Sequence, residues 1–239
     1  MSKQLPLEGI RVADLTMVWA GPYATRLLGD MGAEVIKVES VQVWDQLRGL
    51  GSLPPETERR YNKSAYFNHN NRSKRAVAMD LRSDLGRETM LRLCAESDII
   101  VENFRADVMG NLGLDYEAVK AANPNMIYVS MPGFGHEGSD AGRVGFGPTI
   151  EQMGGLVALQ GYPGGPPHKS GISYGDPIAG STCAASVAAA LLYRQRTGLG
   201  SYCMIPQRDG ITGLIGEYFI AEALDCDIPI RAGFAHQTS

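Results

Sequence analysis

Short apolar runs recur along the first half of the chain at spacings that alternate between strand and helix. Ile10 to Leu15 reads as a buried strand, Tyr23 to Met31 has helical spacing with Gly32 behind it, and Glu34 to Val38 is strand-like again. Further strands are predicted over Ala76 to Leu81, Ile99 to Glu102 and Met126 to Met131. Between the last three, one helix opens at Ser83 and runs to about Glu96, and another opens at Asp115 and stops before Asn123-Pro124. Strands alternating with helices predict an α/β fold: a mostly parallel sheet with helices on both faces.

The pattern then changes. Pro132 to Pro148 is glycine-rich and Gly161 to Pro167 carries both Gly and Pro, so two long connections leave the sheet, as functional loops of α/β proteins do. Between them Thr149 to Leu159 is predicted helical, with Ile150, Met153 and Leu156 or Val157 forming an ordinary core stripe. A second helix is expected from Ile178 to Arg194, stopped by Thr197-Gly198-Leu199-Gly200. A strand over Tyr202 to Ile205 and a helix within Gly210 to Leu224 follow. The chain ends at Ser239, just after Arg231 to His236, with no evident closing strand, and the expectation is an architecture that continues beyond it.

The 239 residues are enough for a sizeable core. A net charge of -4 and a pI near 5.6 give no electrostatic case for nucleic acid or an anionic membrane as partner. The four cysteines form no C-x-x-C pair, which suits a reducing cytoplasm, and the first residues lack the pattern of an export signal. The alanine-rich stretch Ala184 to Leu192 is shorter than a membrane span. His69, His136, His168 and His236 have no zinc-ligand spacing, so no metal is expected.

Three places carry candidate chemistry. At Gly175-Asp176-Pro177 an aspartate precedes a proline at the mouth of a helix; it suits an N-cap, and the positive helix end also favours the ionised, nucleophilic carboxylate. Gly171-Ile172-Ser173-Tyr174-Gly175 spells G-x-S-x-G, with Asp209, Asp225 or Asp227 and then His236 in triad order. That nucleophile elbow needs a strand immediately before Ser173, and Gly165 to Lys169 is a poor candidate for one. Basic residues at Asn71-Arg72-Ser73-Lys74-Arg75 and Arg82 form either a solvated strand entrance or a phosphate clamp. Glu102-Asn103-Phe104-Arg105 adds an amide, an aromatic face and a guanidinium at a strand end. No G-x-x-x-x-G-K-[ST] or G-x-G-x-x-G cradle is present.

Pro6 to Val12, Ala20-Gly21-Pro22, Leu28 to Glu39, Asn71 to Arg75 with Asp80-Leu81, Glu102-Asn103-Phe104, Gly175-Asp176 and Arg196 to Gly200, in this order, resemble the class III CoA transferases, the CaiB/BaiF family that includes formyl-CoA transferase. The resemblance implies a Rossmann-like large domain, incomplete here, over residues 1–200, followed by a strand and helix extension over 201–239 leading toward a missing small domain. It implies transfer of CoA from an acyl-CoA donor to a carboxylic acid, through an anhydride and then a CoA thioester on Asp176. Met79, Arg82, Asn103 and Phe104 fall on positions that contact coenzyme A in the family, and Arg105 follows from the same motif. An interlocked homodimer is implied too, with a complementing C-terminal part or second subunit as the other arrangement, and the isolated chain is expected to be inactive.

Two departures bear on this. The histidine that a racemase or isomerase of the family needs is matched by Phe146, and the basic residue that some transferases carry after the second strand is Ser40. The alternatives to a transferase subunit are therefore a non-catalytic CoA-binding fragment, a racemase of the same family, and a serine hydrolase using Ser173.

Overall fold

The computed structural model of the protein describes residues 4–40, 42–51, 54, 56–226 and 231. Six parallel strands, β1 (Arg11–Asp14), β2 (Glu34–Glu39), β3 (Lys74–Ala78), β4 (Ile99–Glu102), β5 (Ile127–Ser130) and β6 (Ser201–Met204), form one sheet in the order β3-β2-β1-β4-β5-β6. The helices are α1 (Ala20–Asp30), α2 (Ala65–Asn71), α3 (Asp84–Ala95), α4 (Val108–Asn111), α5 (Tyr116–Ala122), α6 (Gly147–Met153), α7 (Leu156–Leu159), α8 (Gly175–Thr197), α9 (Gln207–Leu214) and α10 (Gly216–Ala223). Strand order reverses direction at β1, so a crevice opens beyond the carboxyl ends of β1 and β4, where ligands of doubly wound sheets bind.

The central strands are apolar because both their faces are covered. Every residue of β4 and β5 is buried. One face packs Val12, Val35, Val101 and Val129 against α1 and α8, and the other packs Ala13, Ile100 and Tyr128 against α3 and α5. Each fully buried Ile, Val or Leu contributes about 1.5–3 kcal/mol relative to exposure. In α8, Ala179, Cys183, Val187 and Ala190 recur at three- and four-residue steps and make its inner stripe. Gly180 brings α8 close to α1: a Cβ there would meet the Ala20 carbonyl oxygen at 2.7 Å.

The expected elements occur with local differences. Ser83 and Asp115 cap α3 and α5 by accepting from the amides of Gly86 and Ala118. The strand expected at Ala76 to Leu81 runs instead from Lys74 to Ala78, because pairing with β2, Val35 opposite Lys74 through Glu39 opposite Ala78, sets its register. The single helix expected from Thr149 to Leu159 is broken into α6 and α7 by Gly155, at φ +92°. The one helix expected within Gly210 to Leu224 is likewise two, α9 and α10. The strand expected over Tyr202 to Ile205 is β6, displaced by one residue, and it pairs in parallel with β5 at the edge of the sheet. Helices α2 and α4 have no counterpart in the pattern reading; both are short and sit beside loops.

Candidate active site

The connection from β1 to α1 is held by polar groups from three directions. The Lys37 ammonium, buried, donates to the Thr16 carbonyl at 2.7 Å and lies 3.7 Å from Asp45. The Asn103 side chain clamps Met17, accepting from its amide at 2.8 Å and donating to its carbonyl at 2.9 Å. Asp45 accepts from the Val18 amide at 3.1 Å and from Leu47 at 2.9 Å. These bonds hold Val18 at φ +66°, a left-handed conformation that a β-branched residue adopts only under constraint. Beneath them Lys74 pairs with Asp14 at 2.9 Å and also donates to Pro22 and Asn71. Burial pushes the Lys74 ammonium down to about 8, against the pull of Asp14. Burial pushes the Asp14 carboxyl up, but Lys74 and Lys37 more than offset this and leave it below its ordinary range.

Beyond Val18 the loop delivers Ala20 as the first residue of α1, where its amide meets Asp176. Asp176 is not an N-cap. Helix α8 begins one residue earlier, and the Asp176 carboxylate lies in its first turn, 9% exposed. Burial pushes this carboxyl up to about 6; the Ala20 amide opposes that, the nearby Glu151 carboxylate adds to it, and the amide of Asp176 itself opposes. At neutral pH the group is therefore mostly ionised and poorly solvated, two properties that favour nucleophilic attack. Its charge also contributes to raising the Tyr66 phenol on α2, after burial.

The residues before α8 form a strap from Ser170 to Tyr174 that lies on α6. Glu151 of α6, fully buried, accepts from the Ser170 amide at 3.2 Å, from the Ser170 hydroxyl at 2.7 Å, and from the Tyr174 amide. Ser173 within it has φ +57°. No strand immediately precedes Ser173: α6 and α7 lie between it and β5, so the G-x-S-x-G match lacks the geometry of a nucleophile elbow. Asp227 and His236, named for the triad order, lie outside the described residues.

The crevice beyond β1, β2 and β4 is an open cleft with Met17, Ser40, Asp80, Arg82 and Phe104 among its lining residues. Met17 and Ala20 are three residues apart, so at most about 11 Å of chain joins the cleft to the Asp176 amide partner. The sequence-derived ligand residues divide. Arg82 and Phe104 face the cleft, and Arg82 has no ion-pair partner among the described residues. Asn103 spends its amide on Met17. Met79 packs half-buried against the α3 side of the sheet, and Arg105 is exposed and paired with Asp107. The Asn71 to Arg75 run enters β3 with Arg72 and Arg75 exposed, as a solvated strand entrance would, except that the Lys74 side chain is buried, and none of its residues lines the cleft. Arg72 is engaged with Asp30, Lys74 is buried on Asp14, and Arg75 pairs with Glu34.

In the sequence Glu102 stands out only as part of a strand-end motif. It is buried, accepts from the Phe104 amide at 2.8 Å, and is pushed up to about 7 by burial, against Ser130 and that amide. Glu151, Gly147, Lys37 and Asp45 carried no sequence signal as site residues, because their neighbours are distant in the chain. No group of three metal-ligating side chains occurs among the described residues, and no described helix is long and apolar enough to cross a membrane.

A parallel sheet with helices on both faces and an open crevice at its switch point defines a doubly wound α/β protein of the kind that binds ligands at the carboxyl ends of its strands. The chain belongs to CoA-transferase family III, whose family model matches residues 7–239. It is 35% identical over 236 residues to the succinate–glutarate CoA-transferase of Agrobacterium fabrum, covering 98% of this chain and 59% of that protein. It is 38% identical over 197 residues to the succinyl-CoA:glutarate CoA-transferase of Mus musculus, covering 82% of this chain and 44% of that protein. Among solved structures, a CaiB/BaiF family protein from Brucella suis superposes with a TM-score of 0.87 at 38% identity, over 96% of this chain and 60% of that one. Rv3272 of M. tuberculosis superposes with a TM-score of 0.83 at 33% identity, over 92% and 60%. The chain thus spans about three fifths of the length of these structures and of the Agrobacterium relative.

Proposed function

We propose that the protein of which this chain forms the CoA-binding part transfers CoA from an acyl-CoA to a small carboxylic acid, with Asp176 as the covalent carrier. An ionised Asp176 oxygen attacks the thioester carbonyl and CoA leaves as the thiolate, which gives an acyl-aspartyl anhydride. The thiolate then attacks the aspartyl carbonyl, releasing the donor acid and leaving Asp176 as a CoA thioester. The acceptor carboxylate attacks that carbonyl in turn, and the freed thiolate takes the acceptor acyl group from the second anhydride. Atoms balance with no metal, oxidant or reductant.

The observation that carries this reading is the place of the Asp176 carboxylate, buried at the head of α8 against the first amide of α1, with its proton held up to about 6. A carboxylate stripped of water and aimed at by helix amides is reactive once it meets an acyl carbon. CoA would lie in the crevice, its phosphates toward Arg82 and its adenine against Phe104. Met79, Asn103 and Arg105 complete the expected contact set, Asn103 acting mainly through its grip on Met17. Succinyl-CoA and dicarboxylic acids, the substrates in the names of the relatives, are the first to test. A cytoplasmic homodimer, with a CoA-binding large domain over 1–200 and an extension over 201–239, belongs to the same reading.

The test is chemical trapping. Succinyl-CoA is added to the full-length protein in hydroxylamine, and peptides are mapped. A hydroxamate on the peptide holding Asp176 is the expected result. Label on Ser173 would favour a serine hydrolase, and CoA binding with no label would leave a non-catalytic CoA-binding protein.

A further inference from the structure

Glu151 is fully buried, and three donors converge on it: the amide and hydroxyl of Ser170 and the amide of Tyr174. All three of its hydrogen-bond partners are donors, a pattern that suits a carboxylate and not an amide, whose NH2 would meet another N–H. The bonds join α6 to the strap that leads directly into α8. Gly147, the first residue of the same α6, lies against Asp176 so closely that a Cβ on it would stand 1.9 Å from Oδ2. One helix thus touches the candidate nucleophile at its first residue and holds its chain, through Glu151, one turn later.

We propose that Glu151 is a positioning residue for Asp176: its carboxylate fixes the Ser170–Tyr174 strap on α6 and so fixes where the Asp176 carboxylate sits. The role of Asp176 rests on the transferase reading, whereas the clamp does not. The charge of Glu151 also reaches Asp176. The groups facing Asp176 are the Ala20 amide from α1, Tyr66 from α2, Glu151 from α6 and its own amide on α8. Of these Glu151 is the one carboxylate, and it disfavours the ionised form. Removing its charge lowers the Asp176 midpoint, and loosening the strap admits water and lowers it further.

Glu151→Gln tests this in two readouts that use no acyl-CoA. Carbon-13 NMR of aspartate-labelled protein follows Asp176, assigned by the signal that Asp176→Asn removes, and amide hydrogen exchange follows the strap. The Asp176 midpoint falls from about 6 toward the ordinary value of about 4. Exchange at Ser170 and Tyr174 accelerates about 10-fold or more while β4 and β5 stay protected. An unmoved midpoint with unchanged strap exchange, or a loss of protection spread evenly over β4 and β5, overturns the proposal. Should Glu151→Gln fail to fold, Ser170→Ala removes one donor and leaves the acid in place. Faster exchange at Tyr174 is then expected, and unchanged exchange overturns the clamp. Failure of the transferase reading shows separately, as wild-type protein that yields no hydroxamate at Asp176.

Discussion

Gly147 and Asp176 are in contact across the junction of α6 and α8: a Cβ at Gly147 would lie 1.9 Å from Asp176 Oδ2 and 2.7 Å from Ser173 Cβ. Its φ is not in the left-handed region, so the requirement for glycine is one of space. Gly147→Ala therefore keeps the backbone and displaces the carboxylate. Misplacement of a reacting group by about 1 Å costs on the order of 100-fold in rate. Transfer from succinyl-CoA, or hydroxamate yield at Asp176, should drop by about that factor while circular dichroism and CoA affinity stay near wild type.

Replacing Asp176 should separate chemistry from folding. Asp176→Asn abolishes acylation, because an amide forms no anhydride. It should also stabilise the protein at neutral pH. An acid whose proton affinity is raised from 3.8 to about 6 on folding supplies stability that is fully present below pH 3.8 and is lost as pH rises through about 6. Asparagine has no such loss. Denaturant melts should show the variant about 1–3 kcal/mol more stable than wild type at pH 7.5, with the gap closing below pH 4.

The Lys74–Asp14 pair carries a different load. Both side chains are buried, at 1% and 0% exposure, so Lys74→Met leaves the Asp14 charge without its nearest partner. Breaking one side of such a pair costs about 3–5 kcal/mol. Since the same cluster supports the β1–α1 connection, CoA affinity should fall along with the melting temperature. A variant with wild-type stability would show that Lys37 alone satisfies Asp14.

Arg82 and Arg105 should differ as CoA ligands. Arg82 lines the cleft without an ion-pair partner among the described residues, whereas Arg105 is already paired with Asp107 at 2.5 Å and exposed. A well-placed phosphate contact is worth roughly 1.5–3 kcal/mol, so Arg82→Ala should weaken CoA about 10-fold to 100-fold by calorimetry. Arg105→Ala should weaken it by only a few-fold, because exposed paired charges contribute about 0–1 kcal/mol.

The features legible in the order of residues are local ones. Alternating apolar runs specified the strands and helices of a parallel α/β sheet, and Ser83 and Asp115 announced α3 and α5 because a cap acts within three residues of its own position. Asp176-Pro177 marked a helix head for the same reason, although α8 already begins at Gly175 and makes Asp176 a first-turn carboxylate instead of a cap. Tertiary structure alone decided which charges are buried and by what. Lys74 sits in a basic run that reads as solvated, yet β2 and β3 pair so that it reaches Asp14, 60 positions away. Glu151 sits beside Ile150 in a helix whose pattern predicts only a core stripe, and its partners lie 19 and 23 positions on. Periodicity records which side of an element faces inward, but a buried charge is stable only where donors from distant segments converge on it, and that convergence exists only once the sheet has assembled.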